Sequence, residues 1–246
     1  MNVNIIEFSG FNAAFASMFM SKRTWTPELQ SEINDVVNNV IDNRGFINYD
    51  VNNYDYEKFN NWLDMLVKIS TKHITLGRFI SFSCIVEGLH RGAQDDFDSH
   101  AKRLENKIIR NSTRLATFDG DEKSEFYKDK ILLLDEAVKI LSEQGINVNL
   151  PECINCDDVK YVKTTNGYIN EKYINNKNVK RGLYPLCIPS NFVFECNLTE
   201  WAHIVKERGL TSHAHPELIK MVDDVNTELF NHYPQFTTDW FMSIKN

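Results

Sequence analysis

Apolar positions recur at helical spacing in several stretches of the chain and at alternating spacing in a few others. The run TPELQSEINDVVNNVID places Leu29, Ile33, Val36, Val40 and Ile41 on one face, with Thr26 ready to cap and Pro27 in the first turn, which predicts an amphipathic helix. EKFNNWLDMLVKIS predicts a second, with Phe59, Trp62, Leu63, Leu66 and Ile69 on one side. KDKILLLDEAVKILSEQG predicts a third, stopped by Gly145. TEWAHIVKER, capped by Thr199, and PELIKMVDDVNTELFNHY, with Pro216 at its first turn, complete the helical set.

VNIIEF reads as a short first strand, and RFISFSCIVEG as a strand ending at Gly88. GLYPLCIPSNFVFECNL is strand-like, with Pro185 and Pro189 keeping its first half irregular. Residues 147–180 are polar, with few periodic apolar positions, and read as an inserted arm. Helices interleaved with a few strands give an α+β fold. A chain of 246 residues, 42% hydrophobic and 12% aromatic, suits one large domain carrying that arm.

The formal net charge is −7, which argues against a partner that is a nucleic-acid polymer. A basic N-terminal leader and a bilayer-long apolar run are both missing, so the expectation is a cytoplasmic protein with no membrane partner. The five cysteines are Cys84, Cys153, Cys156, Cys187 and Cys196, and an odd count without a secretion signal points to free thiols. CINC, from Cys153 to Cys156, supplies half of a four-ligand zinc site, and no metal is expected.

Against this acidic background, the segment from Val86 to Leu115 gathers Arg91, Lys102, Arg103, Lys107, Arg110 and Arg114. It is expected to be helical from about Asp95 to Arg110, with Ser112 and Arg114 following in a turn. A hydroxyl and a guanidinium two residues apart suit one phosphate. The competing reading is a solvated helix face paired with Asp95, Asp96, Asp98 and Glu105. Arg181 before an apolar strand, and Arg208 shortly before a helix start, are further anion candidates. His213 and His215 read as loop histidines that cap or contact neighbours.

The order of these signals resembles the flavin-dependent thymidylate synthases. KHITLGRFISFSCIVEGLHR is similar to that family's gHxSxxEHxxFxFxIxGxSR, with His73, Thr75, Phe82, Val86, Gly88 and Arg91 on matching positions. NSTRL resembles the end of RHRxxSxNExSxRY, keeping Ser112 and Arg114. KRGLYPLCIP resembles A-R-x-x-L-P through Arg181, and CNLTEWAHIVKERGLTSHAHPEL resembles N-x-R-E-L…R…AQxEI through Asn197, Glu200, Arg208, Ala214 and Glu217. MSKRTW is similar to the early arginine motif.

The resemblance implies a ThyX-like fold, with a mixed or antiparallel sheet flanked by helices. It implies a homotetramer that binds FAD beside dUMP and moves a one-carbon unit from methylenetetrahydrofolate to C5 of the uracil, with NADPH as reductant. Ser112, Arg114, Arg181 and Arg208 then fall on nucleotide-binding positions, Arg208 also serving the chemistry by stabilising charge on the pyrimidine. His73, Arg91 and Asn197 fall on the cofactor side.

The sequence departs from the pattern in places. Arg78-Phe79 replaces Glu-His, and Thr199 replaces the arginine of N-x-R-E-L. Aligned from Arg91, the glutamine of Q-x-x-R-H-R becomes Asp96 and RHR becomes Ser99, His100 and Ala101. Counted back from Ser112, Lys102 and Arg103 take the first two RHR positions instead. Two alternatives accompany the synthase reading: a hydroxymethylase of dUMP or dCMP on the same scaffold, and a non-catalytic nucleotide-binding relative.

Overall fold

The computed structural model describes residues 1–22, 24–48, 50–98, 107–110, 143–145, 161–164, 167–170, 189–209 and 213–244. Ser112, Arg114, Arg181, His100, Lys102 and Arg103 lie outside them, as does most of the helix expected at KDKILLLDEAVKILSEQG. The chain divides into two compact units. One comprises residues 1–89, 93–110 and 190–246, and the other residues 90–92 and 111–189.

In the first unit, β1 (Asn2–Ser9), β2 (Ser81–His90), β3 (Lys107–Arg110) and β6 (Pro189–Asn197) form a four-stranded sheet in the order β1-β2-β6-β3. β1 runs antiparallel to β2, with Ile5 opposite Cys84 and Phe8 opposite Phe82, and an irregularity between Ile5 and Glu7. β3 runs antiparallel to β6, with Ile108 opposite Phe194. In the second unit, β4 (Tyr161–Thr164) and β5 (Gly167–Asn170) form a two-stranded antiparallel sheet within the polar arm.

Seven helices occur among the described residues: α1 (Phe11–Ser21), α2 (Pro27–Val40), α3 (Asn53–Ser70), α4 (Arg91–Asp98), α5 (Leu198–Arg208), α6 (Pro216–His232) and α7 (Thr238–Ser243). α2 begins as its sequence dictates, Thr26 accepting a hydrogen bond from the backbone N–H of Leu29 and Pro27 opening the first turn. α3 starts earlier than the periodicity suggests, because Asn52 accepts from the N–H of Asp55 and caps it. Among the described residues, no helix is long and apolar enough to cross a membrane.

Three expectations change. Of the helix expected from Asp95 to Arg110, residues 95–98 lie in α4, residues 99–106 lie outside the described residues, and residues 107–110 form strand β3 instead. The short stretch KIIR pairs its β-branched residues with Phe194 and Val193 of β6, and this cross-strand pairing overrides helical propensity. β2 continues past Gly88 to His90, since the Gly88 N–H donates to Asn191 Oδ1 and the glycine takes a positive φ of 78°. α1 and α7 are additions. Phe11, Ala14, Phe15 and Met18 bury one side of α1, but its other positions carry little polarity, so no amphipathic period stands out.

The core lies between the sheet and these helices. Phe82, Cys84 and Val86 of β2 and Phe192, Phe194 and Cys196 of β6 point into it. Trp201 of α5 stacks on Phe194, with ring centroids 5.8 Å apart, and meets Phe82 edge-on. Tyr233 packs against Phe8, Phe11 and Phe59 and donates its hydroxyl to the carbonyl of Gly45. Such aromatic pairs add about 0.5–1.5 kcal/mol each beyond simple burial.

Candidate active site

Helix α5 carries a predicted site residue at each end. Asn197 is its N-cap: the side-chain Oδ1 accepts the backbone N–H of Glu200 at 2.9 Å. Arg208 is its last residue. Eleven residues separate these ends by about 16 Å of helical rise, so no single small group spans both.

The cap is a correction. Thr199 was expected to cap this helix, but it lies inside the first turn and is buried, and its hydroxyl donates to the carbonyl of Ile74 at 2.6 Å. The same hydroxyl lies 2.6 Å from where a Cβ on Gly77 would stand. A long arginine at position 199 has no room there, which accounts physically for the departure from N-x-R-E-L. Glu200, the next residue, is completely buried.

The Thr199 bond also brings a second predicted residue into the neighbourhood. His73 precedes the short 3₁₀ turn Ile74–Arg78, and its chain neighbour Ile74 is tied by its carbonyl to Thr199 at the start of α5. The structure thus unites the surroundings of His73 and Asn197. After capping, Asn197 keeps both amide N–H donors without a hydrogen bond among the described residues.

At the other end, Arg208 Nε stands 3.4 Å from Asp96 Oδ1 of α4, and its Nη1 donates to the carbonyl of Glu207 at 3.0 Å. Both partners are only partly exposed, with side-chain accessibilities of 24% and 32%. Asp96 Oδ2 accepts the backbone N–H of His215 at 3.5 Å, and His215 Nδ1 accepts the N–H of Glu217 as the N-cap of α6. The capping role expected for a loop histidine is therefore what His215 performs. Three elements converge here: α5 through Arg208, α4 through Asp96 and the start of α6 through His215. Arg91 is the first residue of α4 and is half-buried.

Gln94 was not singled out from the sequence. It sits in α4, completely buried, and neither Oε1 nor Nε2 has a hydrogen-bond partner among the described residues. A buried amide left unpaired costs about 1–3 kcal/mol. The available signal was a glutamine two residues before Asp96, where the motif register was read.

Among the described residues, no group of three or more side chains is arranged to hold a metal. Cys84 and Cys196 are buried free thiols, and burial pushes the Cys84 pKa up to about 12, which removes it as a nucleophile.

The sequence matches no protein-family model and no curated protein. The fold has clear relatives among solved structures. Flavin-dependent thymidylate synthase ThyX from Helicobacter pylori, complexed with FAD and dUMP, superposes with a TM-score of 0.51 at 12% identity, over 100% of both chains. A second H. pylori ThyX structure with FAD and dUMP gives 0.50 at 13% identity, again over 100% of both chains. The UMP/dUMP methylase PolB from Streptomyces cacaoi, bound to 5-Br dUMP, gives 0.52 at 11% identity, over 99% of this chain and 95% of that one. The chain therefore has the fold of the flavin-dependent thymidylate synthases.

Proposed function

We propose that this protein is a flavoenzyme that modifies dUMP, transferring a one-carbon unit from methylenetetrahydrofolate to C5 of the uracil, with FAD as cofactor and NADPH as reductant. The observation that carries the reading is that the likeness to structures holding FAD and dUMP runs the full length of the chain rather than over one motif.

The residues present fit such a cofactor. Asn197 offers two free amide donors at the start of α5, and the exposed His73 lies in the chain segment bonded to that turn. A ring system rich in carbonyl and imine acceptors matches these donors. When bound, the flavin supplies the redox chemistry, while the protein binds and orients. Arg208 supplies a permanent cation for the nucleotide and for negative charge developing on the pyrimidine. Asp96 holds that guanidinium in place before the nucleotide arrives. The amide of Gln94 carries both donors and an acceptor, the set needed to read a pyrimidine edge. Ser112, Arg114 and Arg181 are assigned to the phosphate, and His100, Lys102 and Arg103, with Arg91, to the cofactor side. We assign the assembly as a homotetramer.

Two measurements test this. Purified protein is expected to show the visible absorbance of oxidised flavin, and to release tritium from [5-³H]dUMP only when the folate and reductant are present. Protein that neither carries nor takes up FAD and releases no tritium overturns the proposal. Product mass separates a methyl from a hydroxymethyl group, and a parallel reaction with UMP defines the sugar requirement.

A further inference from the structure

The segment joining α3 to β2 is held at both ends and once in between. Before the 3₁₀ turn, the N–H of His73 donates to the carbonyl of Ile69 at the end of α3. After it, the carbonyl of Ile80 accepts the N–H of Leu198 at 3.0 Å. Between these anchors, Thr199 Oγ1 donates to the carbonyl of Ile74, across 125 residues of sequence.

The middle contact needs a reason. A threonine in a helix ordinarily turns its hydroxyl to its own nearby backbone or to solvent. Thr199 does neither: it is 3% exposed, and its hydroxyl leaves α5 for the 3₁₀ turn. The approach is this close because residue 77 is a glycine. A Cβ there would stand 2.6 Å from Thr199 Oγ1, too near to be tolerated in place. It would stand 3.4 Å from Thr199 N and 3.7 Å from Thr199 Cβ, which are ordinary spacings. The hydroxyl and the missing side chain are therefore fitted to each other. The buried Leu76 beside them adds apolar attraction, but that force is non-directional and does not fix where the turn sits along α5.

We infer that Thr199 is a positioning residue: through Ile74 and Gly77 it clamps the 3₁₀ turn against α5 and so fixes the place of His73 relative to Asn197. The inference rests on the cofactor-side assignment of His73 and Asn197 proposed above. Thr199 acts through the backbone it holds, and its own side chain is spent on that bond.

The test is a set of substitutions in the full chain, read by FAD binding, dUMP binding and amide hydrogen exchange. T199A and G77A should each weaken FAD binding about tenfold, as one buried hydrogen bond is lost or displaced. T199S keeps the hydroxyl and should bind FAD like the parent. In G77A/T199A the oxygen that clashes with the new Cβ is gone, so G77A should add no further loss on the T199A background. Equilibrium dialysis should show dUMP affinity unchanged throughout, and circular dichroism should show an intact fold. The N–H groups of Leu76 and Phe79 close the turn on the carbonyls of His73 and Leu76, and they should exchange about tenfold faster in T199A. Unchanged FAD binding in T199A, equal loss in T199S, or equal loss of FAD and dUMP overturns the inference. If the parent takes up no FAD, the cofactor reading falls, and the exchange rates of Leu76 and Phe79 alone decide the clamp, unaltered rates in T199A overturning it.

Discussion

Arg208 at the end of α5 and Asp96 in α4 are joined through Nε and Oδ1 at 3.4 Å, and the same carboxylate reaches the backbone of His215 at the start of α6. The guanidinium is thereby aimed before any anion arrives. Arg208→Ala is expected to weaken dUMP binding by about 1–3 kcal/mol, the worth of a charge-assisted hydrogen bond. Equilibrium dialysis with labelled dUMP measures it, and unchanged affinity would remove Arg208 from the site.

Gln94 gives a prediction with two opposite signs. Its amide is buried and unpaired among the described residues, so Gln94→Leu removes a desolvated polar group and should leave the ligand-free protein as stable or more stable in urea. If the amide reads the pyrimidine, the same variant should lose nucleotide affinity. A variant that is destabilised and binds normally would show a structural role instead.

Asn197 caps α5, and substitutions can separate that role from the cofactor contact proposed for it. Asn197→Ala should lower stability by about 1 kcal/mol through loss of the cap. Asn197→Ser restores a capping oxygen but offers no amide donors. FAD uptake that stays low in Asn197→Ser while its urea midpoint recovers would assign the donors to the flavin. Full recovery of both would leave Asn197 as a cap alone.

His232 adds a pH dependence. Burial against the rings of Phe8 and Phe46 disfavours its charged form, only partly offset by Glu228, so its pKa is depressed below the usual 6.5. Below that value the unfolded chain binds a proton that the folded chain resists. The stability contribution is therefore complete above pH 6.5 and is lost as pH falls toward the folded value. The urea midpoint should decline over this window, and His232→Gln should flatten the slope. NMR titration of the ring reports the depressed pKa directly.

Gly10 holds the turn before α1 at a φ of 91°, and a Cβ there would stand 1.7 Å from the carbonyl oxygen of Phe79. Gly10→Ala should cost about 2 kcal/mol or more, combining backbone strain with displacement of the chain that follows the 3₁₀ turn. Thermal melts measure the loss.

The elements with a clear amphipathic period and a cap were legible in the sequence. α2 shows this with Thr26 and Pro27, and α6 with Pro216 and its buried Leu218, Met221, Val222 and Val225. Where packing rather than period decides, the sequence was silent. KIIR became a strand because β6 offered it partners, and α1 hid because its apolar residues are not confined to one stripe. In the site, Arg208 was readable as a charge near a helix start, whereas Gln94 was not, since a single glutamine carries no pattern and only its burial marks it. Asn197 was found by resemblance, but the role of Thr199 beside it required coordinates.

Because α5 is a rigid rod fixed at Asn197 by its cap and at Arg208 by an acidic anchor, it sets the spacing between these two side chains as a mechanical gauge would. Inserting a single residue in it would swing Arg208 by about 100° around the axis relative to Asn197. Point changes that leave the helix folded keep this angular relation, whereas any change in its length does not.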